Sequence, residues 1–138
     1  MGNQLFALIG LGLLLATASA YAQTGVVKAN VPFNFIVNKT ELPAGEYKVQ
    51  PLGVSGSAMA IQSPDGKVFK AFLPADCESS RAPKMTQLVF HRYGAQYFLA
   101  QIWKSGSDRG QELPASGLES EVARDGPFQN VVVVATLR

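Results

Sequence analysis

From Val27 to Val37, the apolar residues Val27, Ala29, Val31, Phe33, Phe35 and Val37 alternate with Lys28, Asn30, Pro32, Asn34 and Ile36. A period of two places one set on one face, so this stretch predicts a strand with a single buried side. Pro32 falls in the outward set and has no N–H for a ladder, which predicts an edge strand or a bulge. Leu42-Pro43-Ala44-Gly45 is a turn sequence, with Pro fixing φ and Gly following, and Glu46 to Leu52 reads as the return strand with Tyr47 and Val49 inward. Ala58–Gln62 and Lys67–Leu73 flank Ser63-Pro64-Asp65-Gly66, a second hairpin around a turn-forming tetrapeptide. Residues 76–84 read as polar loop.

Met85–Tyr93 and Gln96–Lys104 form the clearest hairpin, joined by Gly94-Ala95 as a two-residue type II′ turn. After a Gly/Ser-rich loop, Ser116 with Glu119 three residues on matches a capping box and predicts a short helix over Gly117–Arg124. Asn130–Leu137, with four consecutive valines, reads as a final strand buried on both faces. About seven strands and one short helix near the C-terminal end describe an all-β chain, an antiparallel sandwich or small barrel.

The N-terminal segment follows a different pattern. From Leu5 to Ala16 it is apolar apart from two glycines, the length of a signal-peptide core and short of the ~20 residues a spanning helix needs. Small residues follow at Ala18, Ala20 and Ala22, and Ala20-Tyr21-Ala22 predicts cleavage after Ala22. Residues 1–22 are therefore expected to be a cleaved signal peptide and 23–138 a single β-rich domain, exported to the periplasm or outside the cell. An N-terminal anchor kept uncleaved is the alternative, because the segment before the apolar run carries no charged side chain. No second apolar segment predicts a membrane span after cleavage. A transmembrane barrel would need longer strands than these.

Composition narrows the chemistry. With 47% hydrophobic residues, 12 basic against 10 acidic side chains and a net charge of +2, the chain is neither disordered nor strongly polarised. Lys and Arg are scattered singly, without the stripe that nucleic-acid binding needs. One Cys and one His cannot supply a zinc cluster, and one Cys cannot form an internal disulfide. A domain of this size buries enough surface to fold with no cofactor.

Two stretches, VPFNFIVNKTELPAGEYKV (Val31–Val49) and LVFHRYGAQYFLAQIW (Leu88–Trp103), resemble a group of small secreted bacterial proteins of unknown function. That group opens on "VPF-F-V…LPAGEY-V" and carries an "FHRYG…YFL…W" hairpin. The resemblance implies an exported all-β domain and brings no activity and no catalytic residues.

A register set by Gly94-Ala95 pairs Arg92 with Tyr97, Phe90 with Leu99, Leu88 with Gln101 and Thr86 with Trp103 on one face. The other face then pairs His91 with Phe98, Val89 with Ala100 and Gln87 with Ile102. Arg92, Tyr97 and Trp103 are accordingly the candidate binding residues, an aromatic platform for a sugar or aromatic ring; the alternative is core packing with Arg92 and Tyr97 paired at its rim. His91 is the only histidine and could in principle act as a general base, but with no nucleophile-elbow motif a structural role is expected. Cys77, alone in an oxidising compartment, is a candidate for an intermolecular disulfide and a homodimer. The expected function is a non-enzymatic binding or structural role in the periplasm or cell envelope, its partner a protein, a glycan or a small apolar ligand. The alternative is a carrier holding a small apolar ligand in a barrel lined by Phe33, Phe35, Phe90 and Phe98. A hydrolase-like site around His91 ranks below both and would require a pocket joining His91 to an acidic residue.

Overall fold

The computed structural model describes residues 25–53 and 57–137, so the signal-peptide reading lies outside the described residues. In chain order the elements are β1 (Val27–Val31), β2 (Phe35–Val37), β3 (Thr40–Leu42), β4 (Gly45–Leu52), β5 (Ala58–Gln62), β6 (Phe69–Phe72) and β7 (Ala75–Glu78). They continue with β8 (Gln87–Tyr93), β9 (Gln96–Trp103), β10 (Arg109–Glu112), helix α1 (Gly117–Ala123), β11 (Gln129–Val134) and β12 (Thr136–Leu137). Among the described residues the chain is all-β with one short helix near its C-terminal end.

Two sheets face each other. The first runs β12-β1-β4-β5-β6; the second runs β11-β8-β9-β10-β7, with the β2–β3 hairpin attached to β9. Neighbours are antiparallel except β2, which lies parallel to β9 through Ile36 and Phe98. Four segments among the described residues pass from one sheet to the other: β1 to β2 through 32–34, β3 to β4 through Pro43-Ala44, β6 to β7 through 73–74, and β11 to β12 through Ala135. Both sides of the sandwich are thereby laced by continuous chain, which gives it a barrel-like closure.

This lacing explains the period-two stretch. It is two strands in two sheets, not one strand of eleven residues, and the break falls at Pro32, which cannot extend the ladder of β1. The alternation survives the crossing because both strands turn the same set inward: Val27, Val31, Phe35 and Val37 are all buried. On β4, Val49 lies opposite Val27 and Tyr47 opposite Ala29, and Tyr47 donates its hydroxyl proton to the carbonyl of Pro43 at 2.6 Å, tying the turn to the core.

The core is one cluster between the sheets. Val27, Val31, Tyr47, Val49, Met59 and Ile61 face Phe35, Leu88, Phe90, Leu99 and Ile102. Phe33 and Phe35 both pack edge to face on Phe90, at 5.0 and 5.4 Å between ring centres. Phe98 points to the other side of the second sheet, where Tyr93 packs on it. The four phenylalanines of the carrier reading thus do not line a common cavity.

The final strand departs from expectation. It is not buried on both faces: Val133 is buried, but Val132 and Val134 are 52% and 53% exposed. β11 is the edge of its sheet, and only its inward set meets the core. Two segments read as loop also pair, β7 with β10 and β10 with β9. No helix among the described residues is long and apolar enough to cross a membrane.

Candidate functional site

The outer face of the second sheet holds the chain's polar chemistry. Its central hairpin starts as the sequence indicates: Gly94 has φ +60° while Ala95 has no positive φ, as a type II′ turn requires. Arg92 pairs with Tyr97, His91 with Phe98 and Phe90 with Leu99. Beyond Phe90 the register slips by one residue at a bulge, so Val89 faces Gln101, Leu88 faces Ile102 and Gln87 faces Trp103. Ala100 is the extra residue, and its carbonyl accepts from Leu113 N–H instead of from β8.

A one-residue slip sends every later side chain to the opposite face. The expected platform is therefore split. Arg92 and Tyr97 remain together on the inner face at the sheet's end, where Tyr97 stacks on Phe33 at 3.8 Å and the Arg92 guanidinium lies 5.6 Å from its ring centre. Trp103 belongs to the outer face with Gln101, and its indole N–H donates to Gln101 Oε1 at 3.0 Å. At 7% exposure it is a buried floor, not an open stacking surface.

One end of the outer face is covered by α1. Ser116 caps the helix by accepting from Glu119 N–H at 3.2 Å, the first half of the expected capping box. The second half does not form. The Glu119 carboxylate turns to the sheet instead, where Oε2 accepts from Tyr93 Oη at 2.9 Å and lies 2.8 Å from His91 Nδ1. Glu119 is buried at 6% exposure, so the sheet-to-helix contact is made by a carboxylate removed from water and supplied with two partners. Phe128, just past the helix, stacks on the His91 ring at 3.7 Å. With Nδ1–H donated to Glu119, a neutral imidazole presents Nε2 as an acceptor.

Beyond His91 the face opens into a groove of about 580 Å³. Val89, Gln101 and Trp103 form its floor, Phe128, Asn130 and Val132 one side, and Arg81, Pro83 and Glu112 the other. The groove thus joins His91 to an acidic residue, Glu112, as an enzyme reading would require, while the imidazole itself is held by Glu119 and Phe128.

Tyr93 carries a shift with a clear sign. Burial first, then its hydrogen bond to Glu119 and the carboxylate's charge, push its phenol up to about 12. The neutral phenol is favoured in the folded state, so its contribution is fully present below the unfolded value near 10 and is lost as pH rises through about 12. Tyr93→Phe should accordingly show a shallower fall in stability between pH 10 and 12 than the parent. Thermal unfolding across that range is the check, and parallel curves would contradict the assignment.

Cys77 lies on edge strand β7, half-buried, opposite Gly110. Burial and then the Glu112 carboxylate hold its thiol above the ordinary range, so it is a poor nucleophile. No group of His, Cys, Asp and Glu suited to a metal occurs among the described residues. No protein-family model, curated protein or solved structure matches this chain.

Sequence reasoning missed the groove because the bulge at Ala100 carries no glycine or proline to mark it. It missed Glu119 as a partner of His91 because the two are 28 residues apart and meet only when α1 folds back onto the sheet.

Proposed function

We propose that this chain is a non-enzymatic binding domain exported to the periplasm or cell envelope, which engages its partner through the open half of the second sheet's outer face. The groove carries the reading. Here a sheet face is half covered by its own helix and half left as a concave strip of mixed apolar and polar side chains, the form that recognition sites take. His91 fits this as a structural residue, since its Nδ1 anchors α1 and its ring supports Phe128. Cys77 fits a disulfide-linked homodimer less well, its thiol being partly buried and resistant to ionisation.

Two measurements test the proposal. Protein exported by its own N-terminal segment should have a mass that begins at Gln23. A photo-cross-linking residue at Val132, beside the groove, should then form adducts in the intact envelope that the same residue at Lys28, on the outer face of the first sheet, does not. Intact Met1 would overturn cleavage, and equal adducts from both faces would overturn the choice of surface.

A further inference from the structure

Resting on that choice of surface, we infer that the groove takes an uncharged oligosaccharide. Its floor runs across β11, β8, β9 and β10, three inter-strand spacings or roughly 14 Å, long enough for more than one sugar ring. Over most of that width the backbone groups of β8 and β9 are committed to the sheet ladders. A ligand lying on this face is therefore read by side chains, not by strand addition.

Among the polar ones, amides are the commonest kind. Gln87, Gln101 and Asn130 bring three primary amides to the groove, each able to donate and accept. The orientation of Gln101 is fixed by chemistry. An indole N–H can only donate, so the atom facing Trp103 must be the amide oxygen, and the NH₂ is left unengaged among the described residues. Sugar hydroxyls, each both donor and acceptor, match such groups.

Charge and shape exclude other classes. The single guanidinium, Arg81, is balanced by the single carboxylate, Glu112, so a polyanion finds no cationic cluster. An acyl chain would leave the amides and both charges desolvated without partners. The exposed ring is Phe128, 42% accessible with one face resting on His91. It offers an apolar surface at one end of the amide-lined floor, which suits a pyranose with a C–H face and a hydroxyl rim.

The test is a titration of the ¹⁵N-labelled exported chain with cellohexaose, fully N-acetylated chitohexaose and maltohexaose in turn. At least one should shift the Trp103 indole and Gln101 side-chain signals saturably. Gln101→Ala and Phe128→Ala should each weaken the fitted affinity about tenfold or more, with the remaining spectrum unchanged. Phe128→Ala removes a half-exposed ring outside the core and so keeps the fold readable. Unmoved groove signals with all three oligosaccharides would overturn the inference, as would shifts confined to the Lys28 face. Val132 cross-links to protein in the envelope, with no oligosaccharide shift, would overturn the ligand class and leave the choice of surface standing.

Discussion

Gly110→Ala should destabilise the domain by about 2–3 kcal/mol and lower its Tm by roughly 10 °C or more. A Cβ at this position would lie 2.6 and 2.8 Å from Cε3 and Cδ2 of Trp103 and 2.9 Å from the Ile102 carbonyl oxygen. Neither neighbour yields cheaply. The ring atoms belong to the body of a buried indole, whose N–H is held by Gln101, and the carbonyl is part of a central strand. Gly110 has no positive φ, so alanine meets no backbone penalty there. Alanine would also lose less conformational entropy on folding, a gain of about 0.4–1 kcal/mol. The clash exceeds that gain, and the net sign is destabilising.

Thermal and urea unfolding of Gly110→Ala, Trp103→Leu and the double variant isolate the cause. If the indole is what the methyl meets, Gly110→Ala should cost much less in the Trp103→Leu background, with a coupling of about 1 kcal/mol or more. Additive effects would place the cost elsewhere. The spectrum of the groove should follow the same logic, because Trp103 is its floor: displacing the ring perturbs Gln101 before any core residue.

The same pair shows where legibility in the sequence stops. Alternation alone located the inward residues of Val27–Val37, Glu46–Leu52 and Phe90–Leu99, because each keeps its inward set, but it ran β1 and β2 together as one strand and left β3 unread. The turn at Gly94-Ala95 and the helix start at Ser116 were legible because each rests on a local requirement, φ at one glycine or one orphan N–H at a cap. β7 and β10 were not, since Ala75–Glu78 and Arg109–Glu112 are short and polar and are strands only because each pairs with a neighbour already in place. The platform of Arg92, Tyr97 and Trp103 failed at a single residue. Counting by two is reliable until a bulge, and nothing local to Ala100 distinguishes it from an ordinary strand alanine. Val132 and Val134 erred in the opposite direction, because an apolar run looks the same at a sheet's edge as at its centre.

Glu119→Leu should release α1 from the sheet at a cost of about 2–4 kcal/mol, felt locally. The carboxylate is the shared acceptor for Tyr93 and His91, so leucine removes two charge-assisted contacts and leaves a phenol O–H and an imidazole N–H facing an apolar side chain. Seven residues cannot hold a helix in water on their own account, and the Ser116 cap satisfies only one of its orphan N–H groups. Loss of docking is therefore loss of the helix. The core between the sheets contains none of these three residues, so β8 and β9 should keep their protection. Hydrogen exchange on peptides covering 113–128 should speed up strongly in Glu119→Leu and only modestly in Glu119→Gln, which retains an oxygen acceptor, while peptides from 96–103 stay slow. Uniform loss of protection would make Glu119 a keystone of the whole fold, and unchanged exchange would mean that the two hydrogen bonds hold nothing in place. Because Phe128 rests on His91 at the end of the same segment, releasing α1 also frees the Phe128 end of one wall of the groove, while Asn130 and Val132 stay on β11. Binding at Gln101 should weaken in Glu119→Leu, although Glu119 itself stays outside the groove.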